Sequence, residues 1–233
     1  MNPQAYHLLL GILTIMTNKD RYIHIKKILD KLFPNAQLEL VYEDDYQLFV
    51  ATILSARCAD KTVNEKTPAF FKKYPSFSAL SHANNFELIT YLKDITYAES
   101  KAQQLISSAL IITEKFNGTL PPTIIDLLAL PGIGRKSANL IVSELYNTPA
   151  IAVDTHVSRV SQRIGLAPQK DLFEQEKHLM RIIPQTDWIR FTRQAILFGR
   201  YICTFNAPKC TNCSAKEFCN TYTPNTPDEP SLF

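Results

Sequence analysis

The stretch Leu130-Pro131-Gly132-Ile133-Gly134-Arg135-Lys136-Ser137-Ala138 decides the fold. Before it, Thr123 and Asp126 stand in capping-box spacing ahead of an apolar face of Ile124, Leu127 and Leu128, so a short helix runs into it. After it, Ala138, Ile141, Val142 and Leu145 repeat at i, i+3, i+4, i+7, the stripe of a second helix. Two glycines flanking one apolar residue let the backbone turn tightly and clear side chains from the turn. Ile133 then plugs back between the helices, and the N–H groups of the Gly132–Arg135 turn point outward. Peptide dipoles so arranged hold a nucleic-acid phosphate without reading sequence. An ordinary helix connection with helix-stop glycines uses the same letters, but the stretch favours the hairpin.

Outward from the hairpin the pattern stays helical. Leu48–Ala56 is apolar on nearly every face, as in a helix buried in a core. Asn85–Leu92 and Ser100–Phe116 read as helices, and Asp187–Cys203 as the last long one, with Trp188, Phe191, Ala195 and Phe198 on one side. Asp154 can cap a helix carrying Val157, Val160 and Ile164, with Gly165 as its stop. No strand alternation and no repeat stands out, so the fold class is all-α. Thr221–Phe233 is polar and is expected to fray. Met1–Ile15 reads either as an upstream mis-start, with Met16 the true start, or as an extra helix.

Lys136 falls in the first turn of the second hairpin helix. There the positive end of the helix dipole works against another positive charge and favours the neutral amine that a Schiff-base nucleophile needs. A solvated lysine on a phosphate is the plainer alternative. Asp154, in Ile151-Ala152-Val153-Asp154-Thr155-His156, reads first as an N-cap. Its functional reading is a carboxylate facing the same cleft as Lys136, stabilising positive charge on a sugar or helping the lysine lose its proton. His156 reads as a cap-region or phosphate-contact residue.

The 233 residues carry a net charge of +3, mildly basic, which permits a phosphate-binding face without establishing one. There are five cysteines, and Cys203, Cys210, Cys213 and Cys219 cluster near the C-terminus. No secretory signal stands at Met1–His7, and the apolar Leu8–Met16 is too short to span a bilayer, so a cytosolic, reducing setting is the default. In that setting clustered cysteines point to a metal centre, either zinc or a 4Fe–4S cluster. Cys58, far away in sequence, reads as a small residue packed near a helix end.

With these features together, the sequence resembles the endonuclease III family of helix-hairpin-helix DNA glycosylases. Leu54-Ser55-Ala56, Leu130–Asn139, Ala152–His156, Phe198-Gly199-Arg200 and the cysteine spacing carry the resemblance. It implies a two-domain all-α fold: a helical barrel over 39–148 holding the hairpin, and a discontinuous domain of 1–38 plus 149–233 with a 4Fe–4S cluster at 203–219. It implies double-stranded DNA with a damaged base or abasic site as the partner, bound in the groove between domains by a monomer. Lys136 matches the nucleophile and Asp154 the essential carboxylate. The reaction implied flips a damaged pyrimidine out, displaces it with the lysine, and nicks the strand 3′ by β-elimination. Gly132, Ile133, Gly134, Arg135 and His156 would contact DNA. Two positions depart from the family pattern. Arg57 stands where glutamine is usual in the residue that fills the flipped base's gap, and Tyr97 stands as the wedge. A mismatch-specific adenine glycosylase is disfavoured, since that branch lacks the lysine and reads Asp-Gly-Asn at Asp154-Thr155-His156.

Overall fold

The computed structural model describes residues 16–222, so the alternatives for Met1–Ile15 and most of the polar C-terminal tail lie outside the described residues. Every regular element among the described residues is helical. The chain divides into two compact units, one spanning Leu38–Ala150 and the other assembled from the described residues before and after it, 16–37 and 151–222.

In the Leu38–Ala150 unit the organising element is α2 (Asp45–Leu54), in which every residue from Leu48 to Leu54 is buried. A helix apolar on all faces must be surrounded, and α3 (Asp60–Lys73), α6 (Ala98–Lys115) and α8 (Arg135–Tyr146) pack on it. Two short helices, α4 (Phe77–Ser81) and α5 (Asn85–Tyr91), lie on α6, and α7 (Ile124–Leu128) pairs with α8. Phe77 meets Tyr46 and Phe49 edge-on, with ring centroids 5.0 and 5.4 Å apart, a geometry aromatic quadrupoles favour.

Helix α3 is missing from the sequence reading because Pro68 lies inside it. Its buried stripe of Val63, Thr67 and Phe70 anchors it despite the lost N–H.

In the other unit α1 (Asn18–Leu32) buries Tyr22, Ile25 and Leu29. It begins with a reciprocal capping box between Thr17 and Asp20 that the sequence reading passed over. Helix α9 (Thr155–Arg163) packs closely on α11 (Trp188–Tyr201), and α1 touches both α10 (Leu172–Ile182) and α11. Gly165, at φ +71, ends α9 as the sequence indicates, and a Cβ there would lie 2.5 Å from the Asn220 side chain. The cysteine-bearing loop is thereby docked against the end of α9, where Asn220 N–H donates to Arg163 O at 2.8 Å. Arg21 from α1 reaches the same place, donating to Ile164 O and Phe218 O, while the His24 ring stacks on Phe218 at 5.1 Å.

Candidate nucleic-acid interface and cysteine cluster

The hairpin forms between α7 and α8 as its letters require. Thr123 Oγ1 accepts from Asp126 N at 3.1 Å and caps α7. Ile133 is buried in the core of its unit. The two glycines do different work. Gly132 takes φ +84, the left-handed conformation that L side chains avoid, and a Cβ there would meet the Gln104 side chain at 2.9 Å. Gly134 sits at φ −99, within reach of any residue, with nothing within 4 Å of a Cβ. The turn therefore requires a glycine at Gly132, whereas at Gly134 the glycine leaves open space on an exposed face. Gly134 is the N-cap of α8 and no side chain caps that end, so the dipole end is presented bare. Arg135 is exposed beside it. Lys136, at the second position of α8, is half-buried and takes no hydrogen bond or ion pair among the described residues.

Arg57 and Tyr97 are brought together although they lie on different loops of this unit. The Arg57 guanidinium donates to Tyr97 Oη at 3.4 Å and stands 6.0 Å from the ring centroid. Both are exposed, and both hold φ positive, 55° and 59°. A non-glycine residue in that region costs roughly 1–2 kcal/mol, so the surrounding structure must hold each one there. Sequence reasoning assigned no role to the residue beneath them. Lys101 is buried, and its Nζ donates to Leu54 O at 2.8 Å and Ala56 O at 2.6 Å. Cys58 packs half-buried against the core, as its isolation suggested.

In the second unit Asp154 is the N-cap of α9. Its Oδ1 accepts both capping bonds, from His156 N at 2.9 Å and Val157 N at 2.7 Å. The second oxygen, Oδ2, takes no hydrogen bond among the described residues. His156 is half-buried, and its Nδ1 faces Arg159 Nη2 at 3.2 Å. Burial lowers its pKa against the pull of Asp154, and Arg159 and Arg200 lower it further. Arg159 also donates to Gly199 O at 2.8 Å and Cys203 O at 3.0 Å, tying α9 to α11 and to the first cysteine.

The four C-terminal cysteines form no disulfide among the described residues and line one cavity of about 640 Å³. Burial pushes the Cys213 thiol up, and Cys203, Cys219 and Cys210 push the same way, so the four stand near one another. Cys219 Sγ lies 3.3 Å from Arg163 O, and Arg163 Nη1 lies 3.5 Å from Cys203 Sγ. Lys209 and Lys216 also line the cavity. Among the described residues no three His, Cys, Asp or Glu side chains are arranged to hold a single metal ion.

Lys136 and Asp154 belong to different units, as do the hairpin and the cysteines. Comparison with known proteins is consistent across sequence and structure. Residues 50–185 match the family model described as HhH-GPD superfamily base excision DNA repair protein. Endonuclease III of Synechocystis is 39% identical over 204 residues, covering 87% of this chain and 93% of its own length. Endonuclease III of Bacillus subtilis is 40% identical over 204 residues, covering 84% and 93%. Among solved structures, a trapped endonuclease III–DNA covalent intermediate superposes with a TM-score of 0.85 at 36% identity, covering 88% of this chain and 97% of that one. A non-covalent endonuclease III–DNA complex gives the same TM-score, 0.85, and the same identity, 36%.

Proposed function

The chain belongs to the HhH-GPD superfamily of base excision DNA repair proteins, within its endonuclease III family, and on that premise we propose a reaction carried by Lys136. The protein is a DNA glycosylase with AP-lyase activity. Its substrate in this reading is duplex DNA holding an oxidised or damaged pyrimidine, or an abasic site.

The bare N-terminus of α8 and the open face at Gly134 hold a backbone phosphate through the N–H groups of the hairpin, with Gly132, Ile133 and Arg135 beside it. This contact grips without reading sequence, as a search for rare lesions demands. Arg57 and Tyr97 fill the gap left by the extruded nucleotide, the tyrosine by stacking and the arginine by hydrogen bonds to the orphan base. His156 lies on the DNA-facing side of its unit in this reading.

Lys136, as the neutral amine, attacks the sugar C1′. The N–C1′ bond forms as the glycosidic C1′–N bond breaks, and the base departs with the bonding electrons and takes a proton. The amine loses its protons and the sugar ring opens, leaving a Schiff base. Removal of a C2′ proton then expels the 3′ phosphate oxygen, which cuts the strand 3′ to the lesion. Asp154 supplies the carboxylate that offsets positive charge on the sugar or takes the lysine's proton. The observation that carries this reading is the unpartnered, half-buried Lys136 in the first turn of an uncapped helix. A relative 36% identical has been captured as a covalent DNA intermediate, which supports a covalent step.

The four cysteines are proposed to hold a 4Fe–4S cluster. The four thiols line one cavity, and the family's cysteine spacing favours a 4Fe–4S cluster over zinc there. When bound, the cluster supplies a rigid anchor for a loop with little core of its own. The domains follow in this reading: a barrel over 39–148 with the hairpin, and a discontinuous domain with the cluster.

The test is borohydride trapping on a duplex carrying one thymine glycol, with Lys136→Gln beside the unaltered protein. A covalent adduct that vanishes in the variant supports the Schiff base and assigns its nitrogen. Base release that leaves an intact abasic site, with no adduct, overturns the role given to Lys136.

A further inference from the structure

We propose that Lys101 is a positioning residue that locks Arg57 and Tyr97 into one rigid unit for insertion into the duplex. The inference rests on the reading that those two residues fill the gap in the DNA.

A buried lysine near the start of a helix is doubly unfavourable. It is 4% exposed, and the dipole of α6 opposes its charge. No carboxylate pairs with it among the described residues. Burial lowers its pKa, and the Cys58 thiol alone pulls the other way. What it gains is two carbonyls at the C-terminal end of α2, Leu54 O and Ala56 O. These lie at the negative end of that helix's dipole, where a cation is favoured. The last held carbonyl is immediately before Arg57. On its own backbone, Lys101 N–H donates to Tyr97 O at 3.0 Å. One residue thus bonds through its side chain to the peptide preceding Arg57 and through its main chain to Tyr97.

Both joined residues occupy the left-handed region, where only enforcement from outside keeps a non-glycine residue. Tyr97 is the N-cap of α6 yet makes no side-chain capping bond, so its own side chain does not stabilise its conformation. Lys101 ties the two loops together from beneath, by its side chain on one side and its main chain on the other. The Arg57–Tyr97 contact at 3.4 Å joins them on the exposed side. Insertion into stacked DNA pushes against both side chains, and a brace that fixes their separation keeps the work in the DNA rather than in the loops.

The test measures single-turnover excision of thymine glycol from a duplex by four proteins: unaltered, Lys101→Met, Arg57→Ala/Tyr97→Ala, and all three changes together. Lys101→Gln replaces the methionine variant if that one does not fold, because it keeps an N–H donor without the charge. Lys101→Met is expected to slow excision roughly tenfold in the unaltered background and less than about threefold where Arg57 and Tyr97 are already alanine. A duplex with 2-aminopurine opposite the lesion should lose the fluorescence rise of an unstacked orphan base in Lys101→Met. Equal factors in both backgrounds would mean that Lys101 only supports the fold and would overturn the inference alone. An Arg57→Ala/Tyr97→Ala protein that excises like the unaltered one would overturn the gap-filling reading first, and this inference with it.

Discussion

Asp154 can be split into its two roles by a pair of substitutions, because both capping bonds fall on one oxygen. Oδ1 accepts from His156 N at 2.9 Å and Val157 N at 2.7 Å. Asp154→Asn keeps an acceptor in that place and removes only the charge. It loses the helix-dipole interaction, about 0.3–1 kcal/mol. Asp154→Ala loses the cap as well, a further cost of about 0.5–2 kcal/mol. For a chain of this size each kcal/mol moves the melting temperature by about 2–4 °C. The asparagine variant should therefore melt about 1–4 °C low and the alanine variant clearly lower. Stability of a globular protein is on the order of 5–15 kcal/mol, so both remain folded at 25 °C. If Asp154 were only a cap, both would excise like the unaltered protein under single-turnover conditions. A carboxylate that stabilises developing charge predicts a loss of about 100- to 1,000-fold in both, although their stabilities differ. Calorimetry and single-turnover excision on the same preparations give the comparison. An asparagine variant within about threefold of the unaltered rate would refute the chemical role and leave Asp154 as a helix cap.

The two hairpin glycines separate a phosphate site from an ordinary turn. Gly134→Ala meets nothing within 4 Å and should cost less than about 1 kcal/mol, yet its methyl should weaken binding to undamaged duplex roughly tenfold by fluorescence anisotropy; unchanged affinity would argue for a plain connection. Gly199→Ala places a Cβ 2.8 Å from His156 Cβ and 3.3 Å from His156 Cα, against about 3.5–4.0 Å for a relaxed contact. Helices α9 and α11 must separate, so thermal melting should show a loss of about 1–3 kcal/mol, whereas an unshifted transition would contradict the packing. Cys213→Ser should abolish the iron found by elemental analysis, and zinc in place of iron in the unaltered protein would remove the 4Fe–4S assignment.

What the sequence made legible follows from how local each interaction is. The hairpin could be read because its glycines, its buried isoleucine and the Thr123 cap act within a few residues of one another. Helix α1 was equally local, with its Thr17–Asp20 box and its stripe of Tyr22, Ile25 and Leu29, and it was missed because its exposed positions are so polar and basic. Helix α3 was hidden by Pro68, whose cost the buried stripe around Phe70 offsets. Lys101 stands after Tyr97 in the wedge run, but nothing local gave it a role, since its carbonyl partners stand 47 and 45 residues away. The positive φ angles of Arg57 and Tyr97 were also invisible, because non-glycine residues in that region carry no letter of their own.

Asp154 shows why a site residue can be legible in identity and still ambiguous in role. An aspartate before a helix is what capping requires, and a carboxylate is also what sugar chemistry requires, so one letter satisfies both. The sequence supplies no reason to choose between them, and neither does the presence of the cap. The geometry allows both: two donors converge on Oδ1, leaving Oδ2 without a hydrogen bond among the described residues. A cap needs one oxygen, and a carboxylate brings two. The cap thus fixes the orientation of the group by one atom and leaves the other without a donor among the described residues, so the cap and the proposed chemical role are compatible uses of the same side chain rather than rival explanations of it.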